Sequence, residues 1–89
     1  MKTKAQLEQE IIEAAKRIPS TYGEYKIKHS LYREIARIMG YKINEFYYGK
    51  WNFKNNEDRQ NCTIIINGME KRGIIKSSKN GMAYKMICD

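Results

Sequence analysis

Glu57-Asp58-Arg59-Gln60-Asn61-Cys62-Thr63-Ile64-Ile65-Ile66-Asn67-Gly68-Met69-Glu70-Lys71-Arg72 is the stretch on which the fold turns. It admits two readings. Wound as a helix over 57–72, it gathers Cys62, Ile65, Ile66 and Met69 on one face, with Asn56 as its cap. Drawn out, Cys62-Thr63-Ile64-Ile65-Ile66 is a run rich in β-branched residues, and Asn67-Gly68 is a two-residue hairpin signal that would pair 61–66 with 69–76. Propensity alone tilts toward the strand, because a glycine inside a helix costs about 1 kcal/mol relative to alanine. The helix is preferred because of the segment after it.

That segment reads as a hairpin with strands at 74–78 and 82–87. Asn80-Gly81 suits a type I′ turn, in which both central residues take positive φ. The turn sets Lys79 opposite Met82, Ser77 opposite Tyr84 and Ile75 opposite Met86. On the other side Ile74 meets Ile87 and Lys76 meets Lys85. One face is apolar. The other opposes two like charges, which is unfavourable unless something anionic sits there.

Upstream, Leu7, Ile11, Ile12, Ala14, Ala15 and Ile18 form one stripe of a helix over 4–18. Thr3 and Gln6 fit a capping box, and Pro19 ends the element. A turn over 20–24 leads to a short half-buried strand at 25–28. Ser30 is positioned to cap a second helix, 30–39, with Leu31, Ile35, Ile38 and Met39 inward and Gly40 as its stop. Segment 41–56 is harder. It holds Tyr41, Phe46, Tyr47, Tyr48, Trp51 and Phe53, and admits a short helix at 44–48 but no long one.

Eighty-nine residues make one domain, 1–89, with a modest core. The 42% hydrophobic content excludes a disordered tail. Seventeen Lys and Arg against ten Asp and Glu leave a net charge of +7, which attracts polyanions at long range. Most of that excess lies in 21–56, where seven bases face Glu24, Glu34 and Glu45. No run approaches the ~20 apolar residues of a membrane span, and MKTKAQLEQE shows no signal-peptide core. Cys62 and Cys88 form no CxxC, and His29 adds no metal-like spacing. Reduced thiols, a cytoplasmic location, no metal and no cofactor are expected.

Met69-Glu70-Lys71-Arg72-Gly73-Ile74-Ile75-Lys76 resembles the junction between recognition helix and wing in winged helix-turn-helix domains. An apolar residue anchors the helix end, charges coat its last turn, glycine takes a left-handed cap, and two apolar residues begin the wing. Arg33-Glu34-Ile35-Ala36-Arg37-Ile38-Met39-Gly40 resembles the first helix of the helix-turn-helix. The resemblance covers about 25–87. It implies an α+β winged helix, with three helices and a small antiparallel sheet ending in a hairpin wing. One departure stands out: about sixteen residues, 41–56, lie where the family has only a few. Either they are an insertion, or the recognition helix lies earlier, at 44–51.

The resemblance implies that helix 57–72 enters the major groove. Off its core stripe lie Arg59, Gln60, Thr63, Ile64, Asn67 and Lys71, including side-chain types that read base edges. They equally suit a solvated helix face. Glu57 and Asp58 would repel phosphate unless they face away, though they complement the helix dipole. Lys76, Lys79 and Lys85 are candidate phosphate contacts, or solubilising charge on an edge hairpin. The aromatic segment 41–53 has three readings. Tyr41, Phe46, Trp51 and Phe53 form a lid on the core; or Tyr47, Tyr48 and Trp51, with Lys42, Lys50 and Lys54, form a base-stacking surface; or they dock a protein. His29 and Ser30 have no acid partner at a telling spacing, and no nucleophile or phosphate-loop motif occurs. The expectation is a non-enzymatic duplex-DNA-binding protein, a regulator of transcription or a replication accessory, and a homodimer through the first helix is compatible with it. The alternative is a winged-helix protein–protein module, an assembly subunit or an inhibitor docking on a nucleic-acid enzyme.

Overall fold

The ambiguous stretch is a helix. The computed structural model describes residues 2–87, Tyr22 and Gly49 by backbone alone, and its helix α3 runs Asn56–Lys71. Cys62, Ile66 and Met69 are at most 1% exposed. Burying side chains of this size is worth roughly 1.5–3 kcal/mol each, more than the ~1 kcal/mol lost at Gly68. The helix ends in a Schellman motif. Gly73 takes φ 74°, its N–H donates to the Glu70 carbonyl (3.1 Å), and Ile74 N–H donates to the Met69 carbonyl (3.0 Å). The start differs from expectation. Asn55, not Asn56, holds the cap position, and its Nδ2 turns to Asp58 Oδ2 (3.4 Å) instead of the side chain capping the backbone.

Helix α1 (Lys4–Arg17) begins with the capping box of Thr3 and Gln6. Ile18, ahead of Pro19, is extended (φ −63°, ψ 127°). Pro19 has no N–H to give the Ala15 carbonyl. Two side chains take its place: the Tyr84 hydroxyl donates at 2.8 Å and Lys26 Nζ at 3.1 Å. Lys26 also reaches the Lys16 carbonyl (2.6 Å), so a cation closes the negative end of the helix.

The expected turn at 20–24 is itself a hairpin, β1 (Ser20–Tyr22) and β2 (Tyr25–Ile27). Helix α2 (Lys28–Met39) starts two residues earlier than expected, and Ser30 caps nothing. Lys28 N–H instead donates to the Met82 carbonyl (3.0 Å), which carries the helix start straight off the sheet. Gly40 closes α2 in the left-handed conformation, φ 76°.

Segment 41–56 holds no helix at 44–48. It is a hairpin, β3 (Ile43–Glu45) and β4 (Trp51–Phe53), paired Ile43 to Phe53 and Glu45 to Trp51 across a 3₁₀ turn, Tyr47–Gly49. After α3 come β5 (Ile75–Ser77) and β6 (Ala83–Met86), in the expected register: Ile75 to Met86, Lys76 to Lys85, Ser77 to Tyr84. Their turn is not type I′, since only Gly81 has positive φ (73°). Asn80 instead accepts Met82 N–H (3.0 Å) and the Ser78 hydroxyl (2.6 Å) on its Oδ1, so the side chain makes the turn that a left-handed backbone would have made.

The main sheet is antiparallel in the order β1-β2-β6-β5. Three helices with antiparallel sheets make the chain α+β. The core gathers Ile11, Ala15, Leu31, Ile35, Ile66 and Tyr84 from all three helices and β6.

Candidate functional site

Arg59, Thr63 and Asn67 recur every fourth residue of α3, so they share one flank beside the buried face. Opposite that flank stand β4, with Trp51, Asn52 and Phe53, and the start of α2, with Lys28, His29 and Tyr32. The Gly81-Met82 turn closes the end. Together they line a groove of about 580 Å³ that holds no carboxylate. Neither Glu57 nor Asp58 lines it. Asp58 acts instead on Cys62, where burial first and then its charge raise the pKa, and on Tyr41, where burial, then Cys62, then Asp58 raise it. The Cys62 thiol, pushed up to about 12, is free, buried and inert. Cys88 lies outside the described residues.

Within the groove the side chains differ in what they leave open. The Thr63 hydroxyl exchanges a hydrogen bond with the Tyr32 hydroxyl (2.8 Å) and reaches the Arg59 carbonyl (3.2 Å), so it braces α3 against α2. Arg59 and Asn67 are exposed, and among the described residues their side chains have neither hydrogen bond nor ion pair. Gln60 and Lys71 are exposed on α3 but line no part of the groove. Trp51 is 8% exposed, stacked on His29 (4.4 Å between centroids) and edge-on to Phe53 (4.9 Å). It anchors the 43–53 hairpin and is not part of an exposed patch. Burial, then the Arg33 charge, holds the His29 pKa below its ordinary 6.5.

The lid reading holds for Tyr41 and Phe53, which pack on the core, and for Trp51, but not for Phe46. Phe46, Tyr47 and Tyr48 are 58%, 87% and 100% exposed at the hairpin tip. Lys50 and Lys54 beside them are exposed and make no ion pair among the described residues.

Lys76 and Lys85 oppose each other as expected, and Lys85 finds an anion within the chain. Glu24 Oε1 takes Lys85 Nζ at 3.0 Å, a hydrogen bond that raises the lysine pKa. Lys85 is therefore committed, whereas Lys76 and Lys79 remain exposed without an ion pair among the described residues. The other ion pairs join Lys2 to Glu10, Arg72 to Glu8, Arg37 to Glu34 and Arg33 to Glu45. None of their carboxylates borders the groove.

Sequence reasoning missed Lys28, His29, Tyr32, Asn52 and Met82 as groove residues. Lys28 was legible only as a strand end, and no local pattern marks Asn52. Among the described residues no cluster of His, Cys, Asp or Glu could hold a metal ion, and no helix is long and apolar enough to cross a membrane. No protein-family model, curated protein or solved structure matches this chain.

Proposed function

We propose that the chain is a winged-helix module that binds duplex DNA, with α3 as its recognition helix, the β5–β6 hairpin as its wing and 41–56 as an insertion. The observation that carries this reading is the groove without carboxylates, into which α3 presents the unpaired Arg59 and Asn67 beside the hairpin turn. Charge points the same way: among the described residues Lys50, Lys54, Lys71, Lys76 and Lys79 have no ion-pair partner, while acids pair away from the groove. Arginine, asparagine and glutamine on one helix can read base edges, and the surrounding lysines position the phosphates. A regulator of transcription or a replication accessory needs no more chemistry than this.

A titration of labelled duplex over a salt series tests it. Affinity falls steeply between low and moderate salt, and replacing Lys76 and Lys79 with alanine flattens the slope by about two units, one for each phosphate no longer neutralised. Asn67→Ala costs about 1–3 kcal/mol on a preferred sequence and little on others. Absence of duplex binding at about 50 mM salt would leave the protein-docking module as the better reading.

A further inference from the structure

The inserted hairpin ends in three consecutive aromatic side chains that the fold does not use. Tyr47 and Tyr48 are almost wholly in water, and Phe46 is more than half exposed. Their backbone is nonetheless held: Phe46 N–H donates to the Lys50 carbonyl (2.6 Å) and Lys50 N–H to the Tyr47 carbonyl (3.3 Å). Tyr48 sits in the left-handed region (φ 61°, ψ 34°), which disfavours a residue with a Cβ. With Tyr48 fully exposed, no packing of its ring compensates. Below the tip, Trp51 stacks on His29 and Phe53 meets Tyr32, so the arm stands on the body of the fold.

Charge identifies what fits the tip. Glu45 is the one carboxylate in 41–56, and Arg33 neutralises it. Lys42, Lys50 and Lys54 have no ion pair among the described residues. Exposed rings set among free cations suit a polyanion with planar apolar faces, which describes unpaired nucleobases. In an intact duplex those faces are covered by neighbouring pairs. The rings can stack only where pairing stops.

We infer that the 43–53 hairpin stacks its tip aromatics on unpaired bases, so that the protein prefers a duplex that adjoins single strand over a continuous one. This rests on the duplex-binding reading above and deepens it: α3 and the wing hold the paired part, and the inserted hairpin reports where it ends. Trp51, Asn52 and Phe53 of that hairpin share the groove with α3, which puts the two activities side by side.

The test compares a labelled 20-base-pair duplex with blunt ends, the same duplex with a ten-nucleotide single-stranded tail, and the tail strand alone, by anisotropy at one salt concentration. The parent protein binds the tailed duplex about 5- to 150-fold more tightly than the blunt one, the range expected for stacking on one base. Tyr47→Ala with Tyr48→Ala abolishes the preference and leaves blunt affinity unchanged, while Tyr47→Phe with Tyr48→Phe retains it. Tyr48→Gly relieves the left-handed backbone, so its loss of preference cannot come from misfolding. Equal affinity for blunt and tailed duplex, or a preference that survives Tyr47→Ala with Tyr48→Ala, overturns the inference while the duplex-binding reading stands. Tip-dependent binding of the tailed duplex and strand alone, without blunt binding, supports the stacking tip and overturns the duplex-binding reading alone. Binding of none of the three overturns both.

Discussion

The chain builds two hairpins to opposite ends. The C-terminal one, β5–β6, presses Ile75 and Tyr84 into the core, both 0% exposed, and β6 pairs with β2 as well as β5. The other, β3–β4, forms a sheet of its own, buries Trp51, half-buries Phe53, and sends Phe46, Tyr47 and Tyr48 outward. One hairpin is a wall of the fold; the other is an arm mounted on it. Strand pairing alone therefore says little about a hairpin's role. What each turn leaves in water says more: lysine and asparagine beside Met82 at the one, tyrosines at the other.

The contrast breaks most readily at the core. Ile75→Ala should lower global stability by about 2–5 kcal/mol in a denaturant titration, because it opens a cavity among buried side chains. Trp51→Ala should act locally, raising amide exchange across 43–53 while helical circular dichroism persists. If Trp51→Ala lowers the denaturant midpoint as far as Ile75→Ala does, the 43–53 hairpin is not an arm. Tyr84→Phe removes a buried hydroxyl bond to the Ala15 carbonyl, which Lys26 still serves, and should cost about 1 kcal/mol in thermal unfolding. Tyr48→Gly should raise stability by about 0.5 kcal/mol, since relief of the left-handed backbone exceeds the added chain entropy of glycine. The smallest effect is in pH. His29 has a folded pKa below its unfolded value of 6.5, so the unfolded chain binds its proton first. Its contribution is complete above pH 6.5 and is lost as pH falls through the lower folded value. His29→Gln should flatten that acid limb of the unfolding midpoint.

The same two hairpins mark what the sequence made legible. At 74–87 a period-2 pattern runs through each strand and Asn80-Gly81 locates the turn, so the register is readable even though the turn type is not. At 43–53 each strand has three residues, too few for alternation to declare itself, and the aromatics point both in and out. Helix 57–72 was ambiguous locally and was decided by the αL glycine beyond it. The flank of Arg59, Thr63 and Asn67 was visible as helical spacing. Its opposite wall was not, because Lys28, Asn52 and Met82 come together only through the main sheet and the 43–53 hairpin. Nor could spacing show that Glu24 would satisfy Lys85, since the two lie sixty-one residues apart.

The 43–53 hairpin begins and ends at one place: Lys54 N–H donates to the Lys42 carbonyl at 3.2 Å, closing its base. In terms of chain connectivity the arm is a graft. Its two ends leave the body side by side, so a longer or different tip spliced between Glu45 and Trp51 need not move α2, α3 or the groove wall of Trp51, Asn52 and Phe53. Loop closure penalises such a change only slowly, by about 0.6 kcal/mol for each doubling of a flexible loop. The reach and chemistry of the tip can therefore be exchanged in laboratory variants as a cassette, while the groove beneath keeps its shape.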